Sequence, residues 1–204
     1  SWLQELAGLP VKADVPLVAM TARLAKQKGF DLILGDGLLY RMDEAQFLFL
    51  GEGDPGYQHQ LQEIANSLPH RVAAFFEFTE QREHRLLAGA DMLLMPSQYE
   101  PCGLTQMRAQ RYGALPVVRR VGGLSDTVED QETGFVFDEY TTSALEVALR
   151  RSFATYRDRT AWARHMKEAM GRDFGWERSA RKYLILYEAV LTVHHELGGG
   201  LTPL

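Results

Sequence analysis

Short apolar runs recur along the chain, and each is nearly continuous instead of alternating between apolar and polar positions. Continuous runs of this length are typical of strands that are covered on both faces. Helix-like segments lie between them, so the pattern predicts an α/β fold in which helices flank a doubly wound parallel sheet. The predicted strands are PLVAMTA (16–22), QFLFLG (46–51), RVAAFF (71–76), DMLLMP (91–96), LPVVRR (115–120) and GFVF (134–137).

Amphipathic segments separate these runs, and after about residue 142 no further strand is predicted. The segment 30–43 is interpreted as one helix, although Gly35 and Gly37 each destabilise a helix by about 1 kcal/mol relative to alanine. The tail LGGGLTPL is expected to be frayed. We therefore expect one doubly wound domain with a helical C-terminal extension. The remaining predicted helices are 57–68, 81–90, 104–113, 143–154, 158–170 and 176–195.

The composition is that of an ordinary soluble domain, with 204 residues, 46% hydrophobic and 24% charged. A net charge of −5 argues against a nucleic-acid partner, because domains that bind phosphate backbones usually carry a basic face. No apolar run is long enough for a membrane span. The single cysteine excludes an internal disulfide and suggests a reducing, cytoplasmic setting. Because the chain begins at Ser1 rather than Met, we expect a fragment or a processed form.

Charged side chains follow two of the predicted strands at the edge where ligands of parallel sheets bind. Arg23 and Lys28 come after the first strand and could neutralise a diphosphate, although such a pair is usually just solvated. Glu100 comes after the fourth strand, next to the start of a helix whose N–H groups could face a ligand. Gly103 would let that ligand approach the main chain. Together these residues suggest a site for a sugar nucleotide.

Weaker candidates follow the second and third strands. Gly51 and Gly53 lie in GEGD, which by itself is more often a tight turn than a phosphate loop. Phe78 follows the third strand and, taken alone, is more often a core residue than a surface on which a base stacks. No carboxylate pair or histidine spacing predicts a metal site.

Long sequence blocks carry a resemblance to a known family. In order and spacing across about residues 8–190, the chain resembles the C-terminal domain of bacterial glycogen synthases and plant starch synthases. The blocks are ARLAKQKGFDLIL (22–34), LGEGDP (50–55), LAGADMLLMPS (87–97) and YEPCGLTQMRAQRYGALPVVRRVGGLSDTV (99–128).

The resemblance implies a retaining GT-B glycosyltransferase that moves glucose from ADP-glucose to the non-reducing end of an α-1,4-glucan. It implies a Rossmann-like domain at 1–174, which binds the donor with neither cofactor nor metal. Residues 175–204 would form a C-terminal helix and tail that pack toward an N-terminal domain with no counterpart here. The glucan acceptor would be met through that missing domain, so this chain alone should transfer little or no glucose.

The same resemblance implies roles for individual residues. Arg23 and Lys28 would stabilise the departing diphosphate, and Glu100 would hold glucose hydroxyls and stabilise the developing positive charge. Phe78 would stack on adenine, although Glu77 stands where the family has glycine. Many related enzymes carry a ribose-binding glutamate at the position of Arg108. Substrate contacts are also expected at Cys102, Gly103, Leu104, Thr105, Gly51 and Gly53.

Other functions remain open on the sequence alone. A GT-B transferase that uses a UDP- or GDP-sugar is one alternative, and a non-catalytic nucleotide-sugar-binding module is another. A scaffold protein that binds no ligand is less favoured, because that function does not explain why Arg23, Lys28 and Glu100 would converge.

Overall fold

A parallel sheet forms the centre of the protein in the computed structural model, which describes residues 2–196. The strand order is β3-β2-β1-β4-β5-β6, so the chain builds outward from β1 in one direction and from β4 in the other. This confirms the predicted doubly wound sheet. The strands are β1 (Leu17–Thr21), β2 (Gln46–Leu50), β3 (Val72–Phe75), β4 (Met92–Met95), β5 (Leu115–Arg119) and β6 (Phe135–Phe137).

Both faces of the sheet are buried, which explains the continuous apolar runs. In β1, Val18 and Met20 belong to one core cluster, whereas Leu17 and Ala19 belong to the cluster on the opposite face. Every residue of β1, β2 and β4 is buried. Side chains therefore need to be apolar at each position and not at every second one.

Helices cover both faces, and those predicted from periodicity lie within a few residues of their expected positions. Two short helices, α1 and α7, were not predicted. The helices are α1 (Trp2–Leu6), α2 (Phe30–Leu34), α3 (Leu38–Arg41), α4 (Pro55–Ser67), α5 (Glu80–Gly89), α6 (Thr105–Tyr112), α7 (Gly122–Thr127), α8 (Thr142–Arg157), α9 (Arg159–Gly171) and α10 (Trp176–Glu196).

The prediction of one helix over 30–43 was wrong. A 3₁₀ turn at Gly35–Gly37 separates α2 from α3, and Asp36 inside it has φ 49° and ψ 20°. Gly37 also takes a left-handed conformation, with φ 65°. Glycine enters this region without steric penalty, so Gly37 permits the break, while Gly35 ends α2 in an extended conformation with φ −74° and ψ 160°.

The chain divides into two compact units, of which the first ends at Gly171 and the second begins at Arg172. Within the described part of the second unit, α10 is one helix of 21 residues. The rings of Tyr183 and Tyr187 lie 6.2 Å apart on this helix. The predicted frayed tail, residues 197–204, lies outside the described residues. None of the helices in residues 2–196 is both long and apolar enough to cross a membrane.

Candidate active site

A cleft of about 670 Å³ opens at the carboxyl ends of β1 and β4. These strands are neighbours, and the strand order reverses between them. A ligand site is expected at such a point, because the loops that follow the two strands diverge and leave a crevice. The cleft is lined by Arg23, Lys28, Gly51, Glu52, Gly53, Phe78, Glu83, Ser97, Glu100, Gly103, Leu104 and Thr105, with strand-end residues of β1 and β4 as its floor.

The two predicted cations both reach this cleft. The side chain of Arg23 is exposed, and no described residue is bonded to its guanidinium. Lys28 differs, because its Nζ lies 2.6 Å from Oε2 of Glu100. The sequence placed a cation and a carboxylate 72 residues apart at the same site, and the structure joins them in an ion pair.

A tight turn brings Lys28 to the carboxylate. Residues Lys26–Lys28 form a 3₁₀ turn that ends at Gly29, which has φ 83°. A Cβ atom on Gly29 would lie 2.3 Å from the carbonyl oxygen of Pro96. Only glycine lets the turn lie against the exit of β4 in this way, and that contact places the ammonium beside Glu100.

The turn is also supported from the loop before α8. The hydroxyl of Tyr140 donates a hydrogen bond to Oδ1 of Asp31 at 2.6 Å and lies 3.1 Å from the carbonyl oxygen of Lys26. Burial and the hydrogen bond to Asp31 raise the pKa of Tyr140. The phenol therefore stays protonated and remains a donor.

Glu100 is fixed on several sides and is only 9% exposed. Its Oε2 also accepts a hydrogen bond from the hydroxyl of Ser97 at 3.3 Å. Its carbonyl oxygen accepts one from the N–H of Gly123 at 3.1 Å. A Cβ on Gly122 would lie 2.1 Å from that oxygen, so α7 packs directly on this loop. The carboxylate is therefore held in place while one edge faces the cleft.

The start of α6 forms another wall of the cleft. Gly103 has φ 70°, and no side chain caps the helix at Leu104. The first N–H groups of a helix lack partners within the helix, so they can bind an anion. Thr105 adds a hydroxyl at this position. The buried side chain of Gln106 stabilises this loop, because its Nε2 donates a hydrogen bond to the carbonyl oxygen of Gly103 at 2.8 Å.

Cys102 is the predicted contact residue that does not line the cleft. Its side chain is exposed and its thiol is free. A Cβ on Gly123 would lie 1.9 Å from the Cys102 carbonyl oxygen, so that part of the backbone packs against α7.

Gly51 and Gly53 both line the cleft, and the neighbouring backbone leaves no room for a side chain at either position. A Cβ on Gly51 would lie 1.9 Å from the carbonyl oxygen of Ala22, and one on Gly53 would lie 2.3 Å from that of Leu24. The backbones that leave β1 and β2 run side by side here, joined by a bond from the N–H of Leu24 to the carbonyl oxygen of Glu52 at 2.8 Å. The glycines therefore permit this close approach.

Phe78 stands at the rim of the cleft with 47% of its surface exposed, so it is not a core residue. Its N–H donates to Oε1 of Glu52 at 2.8 Å. The carbonyl oxygen of the preceding Glu77 accepts a hydrogen bond from Arg82 at 2.8 Å, and Thr79 caps α5. These contacts hold the loop in place although Glu77 replaces the glycine of the resembling family.

The sequence argument missed Glu83. This carboxylate lies on α5, lines the cleft, is 6% exposed and pairs with Arg108 at 2.7 Å. A signal was present, because Leu86 and Leu87 follow at the spacing that puts them on the same helix face, and both are buried. A charge on the buried face of a helix indicates a partner or a site.

No group of three or more His, Cys, Asp or Glu side chains in residues 2–194 is arranged to hold a metal ion. The positive groups that line the cleft are the side chains of Arg23 and Lys28 and the N-terminus of α6.

Comparison with known proteins agrees with this geometry. The sequence family described as "Glycosyl transferases group 1" matches residues 5–169, which include all six strands and the whole cleft. The chain belongs to this glycosyltransferase family.

Curated relatives of this glycosyltransferase chain are named glycogen synthases. The chain is 49% identical over 195 residues to the glycogen synthase of Anaeromyxobacter sp. (strain K), covering 92% of this chain and 41% of that protein. It is 43% identical over 186 residues to that of Thermodesulfovibrio yellowstonii, covering 91% and 37%. The resemblance inferred from the sequence is confirmed, and the chain spans about two fifths of the length of these relatives.

A solved structure shares the fold over nearly the whole chain. The catalytic domain of starch synthase IV from Arabidopsis thaliana, bound to ADP and acarbose, superposes with a TM-score of 0.83 at 34% identity. The match covers 94% of this chain and 42% of that one. A sucrose-phosphate synthase from Thermosynechococcus elongatus, at 24% identity and a TM-score of 0.70, shares the fold.

Proposed function

We propose that this glycosyltransferase chain is the donor-binding C-terminal domain of a retaining glycogen synthase. The complete enzyme would transfer glucose from ADP-glucose to the non-reducing end of an α-1,4-glucan. The glycogen synthase relatives and the ADP-bound starch synthase support this proposal. The observation that carries it is the convergence of Arg23, Lys28 and the start of α6 on one cleft at the point where the strand order reverses.

The cleft's positive groups suit a pyrophosphate. Arg23 offers a planar set of donors with no described partner, and Lys28 offers an ammonium on a flexible stem. The free N–H groups at the start of α6 and the hydroxyl of Thr105 lie on the same cleft. In the proposed reaction these fixed charges stabilise ADP as it leaves, in the role that a metal ion has in other transferases.

The ion pair between Lys28 and Glu100 fits a role at the junction of phosphate and sugar. In the proposed complex the ammonium of Lys28 interacts with the diphosphate, while the Glu100 carboxylate accepts hydrogen bonds from glucose hydroxyls. A positive charge that develops on the sugar would be stabilised by this carboxylate. The leaving phosphate itself would take the proton of the acceptor hydroxyl, with the protein supplying position and charge.

The aromatic side chain of Phe78 completes the proposed donor site. Its half-exposed ring at the rim, together with the loop fixed by Glu52 and Arg82, supports stacking on adenine.

The exposed apolar residues of α10, among them Tyr183 and Tyr187, support packing toward an N-terminal domain. In the proposed enzyme that domain also binds the glucan. A reducing, cytoplasmic setting belongs to the same proposal and suits the exposed free thiol of Cys102.

Calorimetry with magnesium-free ADP, UDP and ADP-glucose tests the proposal. We expect ADP to bind more tightly than UDP, and Arg23→Ala and Lys28→Ala each to weaken ADP binding by about 1.5–3 kcal/mol, the range for charge-assisted hydrogen bonds. Arg164→Ala is the matched control, because Arg164 is an exposed arginine on α9 outside the cleft lining. Equal affinity for ADP and UDP would favour a donor other than ADP-glucose, and no binding of any nucleotide would refute the donor site.

A further inference from the structure

We propose that Glu83 binds the ribose hydroxyls of the nucleotide and that Arg108 is the residue that positions it. This inference rests on the proposed function, because it needs a nucleoside diphosphate in the cleft. It assigns the contact that fixes the middle of that ligand.

Glu83 presents one carboxylate oxygen to the cleft. Its Oε2 accepts a hydrogen bond from Nη1 of Arg108 at 2.7 Å. No described residue donates to Oε1, and this oxygen is not fully buried. Because Glu83 lines the cleft, Oε1 is the oxygen that we assign to a ligand. Glu83 is only 6% exposed, yet its carboxylate keeps one acceptor oxygen without a partner in the described protein.

The order of groups in a nucleotide determines which part meets this oxygen. The base, the ribose and the diphosphate follow one another, so a base at Phe78 and a diphosphate at Arg23 and Lys28 leave the ribose between them. Glu83 lies one helical turn into α5, which starts directly after the loop that carries Phe78. Ribose offers two neighbouring hydroxyl donors, and an ionised carboxylate is an acceptor at every lone pair.

Arg108 compensates the negative charge of Glu83, so the carboxylate can lie close to a bound diphosphate. An unpaired negative charge in the cleft would repel the diphosphate. The repulsion is stronger at short distance and in a medium of low dielectric constant. The guanidinium of Arg108 compensates that charge from the side of α6. The pair therefore adds a hydrogen-bond acceptor while adding no net charge. It also locks the orientation of Glu83, whose neighbours Leu86 and Leu87 are buried in the core.

Binding of deoxynucleotides tests the contact. Dissociation constants for ADP, 2′-deoxy-ADP and 3′-deoxy-ADP are measured on the chain and on Glu83→Gln, with Glu80→Gln as control. Glu80 is an exposed carboxylate at the start of the same helix and does not line the cleft. In the parent chain, ADP should bind about tenfold more tightly than at least one deoxynucleotide, the size of one charge-assisted hydrogen bond.

The decisive quantity is the ratio of those constants in the variants. In Glu83→Gln the preference for the hydroxyl should fall severalfold, while Glu80→Gln keeps the parent ratio. A purely structural ion pair would weaken all three nucleotides equally, so an unchanged ratio in Glu83→Gln overturns the inference and leaves the proposed function intact. Absence of ADP binding in the parent chain overturns both.

The role of Arg108 is tested through the same ratio of dissociation constants for ADP and the deoxynucleotides. A loss of stability alone does not change this ratio. Arg108→Gln should reduce the hydroxyl preference and weaken all three nucleotides, because the Glu83 charge is no longer compensated. Arg108→Lys should restore part of both effects by keeping the charge. Should Glu83→Gln fail to fold in a thermal melt, these two variants decide the question, and a full hydroxyl preference in Arg108→Gln overturns the positioning role.

Discussion

At the scale of single residues, we propose that the ion pair between Lys28 and Glu100 controls how the nucleotide and its sugar bind. Nζ of Lys28 and Oε2 of Glu100 are 2.6 Å apart, so a diphosphate bound as proposed would share the ammonium with the carboxylate. In this proposal the carboxylate that favours binding of the glucose would weaken binding of the diphosphate, because it competes for the same ammonium.

Glu100→Gln separates these two affinities. The variant should bind ADP at least as tightly as the parent, because the diphosphate no longer competes with a carboxylate for Lys28. It should bind ADP-glucose more weakly, by about 1.5–3 kcal/mol, as charge-assisted bonds to the sugar are lost. Calorimetry with both ligands measures the difference, and Glu139→Gln, at an exposed residue outside the cleft lining, is the control. An equal loss for both ligands would contradict the sugar-binding role.

Gly29 is the residue on which the position of Lys28 depends. Gly29→Ala should lower the free energy of unfolding by about 1–3 kcal/mol, the usual penalty for a side chain in the left-handed region, and should also weaken ADP binding. Gly8 has φ 70°, but a Cβ on Gly8 would meet nothing within 4 Å, so Gly8→Ala controls for backbone strain alone. ADP affinity that is unchanged in Gly29→Ala would show that contact with Pro96 does not place the lysine.

At the scale of elements, Asp130 joins β6 to α8. Its Oδ1 accepts a hydrogen bond from the N–H of Val136 at 2.7 Å, and its Oδ2 accepts one from Arg151 at 3.0 Å. Burial by itself raises the pKa of Asp130, but these hydrogen bonds and the charge of Arg151 outweigh it and leave the pKa below its ordinary value. The folded state therefore holds this proton less tightly than the unfolded state does.

Asp130→Asn should lower the free energy of unfolding at pH 7 by about 1–3 kcal/mol, as charge-assisted bonds are lost. A carboxyl with a lowered pKa stabilises the fold above its unfolded pKa of about 3.9, and that contribution disappears as the pH falls through the folded pKa. The gap between parent and variant should thus narrow below about pH 4. Chemical denaturation across this range measures it, with the exposed Asp126→Asn as control. A gap that is independent of pH would contradict the account.

The strands and most helices could be predicted from the sequence because their signal is local. The predicted strand 46–51 is observed at Gln46–Leu50, and the predicted helix 81–90 at Glu80–Gly89. The break in 30–43 could not be inferred from helix propensity alone, since whether Gly35 and Gly37 weaken or interrupt a helix depends on what packs around them.

The candidate site could be predicted in part. Placing Arg23 and Glu100 at one edge follows from the parallel sheet, since strand ends meet there. The pairing of Glu83 with Arg108, 25 residues away, depends on how α5 and α6 pack. Neither the hydrophobic periodicity nor the composition shows that these two side chains meet. The reason for glycine at Gly51 is likewise a contact across two strands that no local pattern contains.

At the scale of the whole molecule, this glycosyltransferase chain spans about two fifths of its relatives' length. The cleft at the edge of the sheet holds the groups proposed to bind the donor. The groups proposed to bind the glucan belong to the part of the relatives that the chain does not match. The central claim is that fixed cations and a helix N-terminus bind the diphosphate without a metal ion.

Titration of the chain with ADP, in EDTA and again with excess Mg²⁺, tests this claim most directly. Because Arg23 and Lys28 are already in place, ADP should bind in EDTA at least as tightly as with Mg²⁺, and the double variant Arg23→Ala/Lys28→Ala should lose that binding. ADP binding that appears only with Mg²⁺, or that survives removal of both cations, would contradict the account.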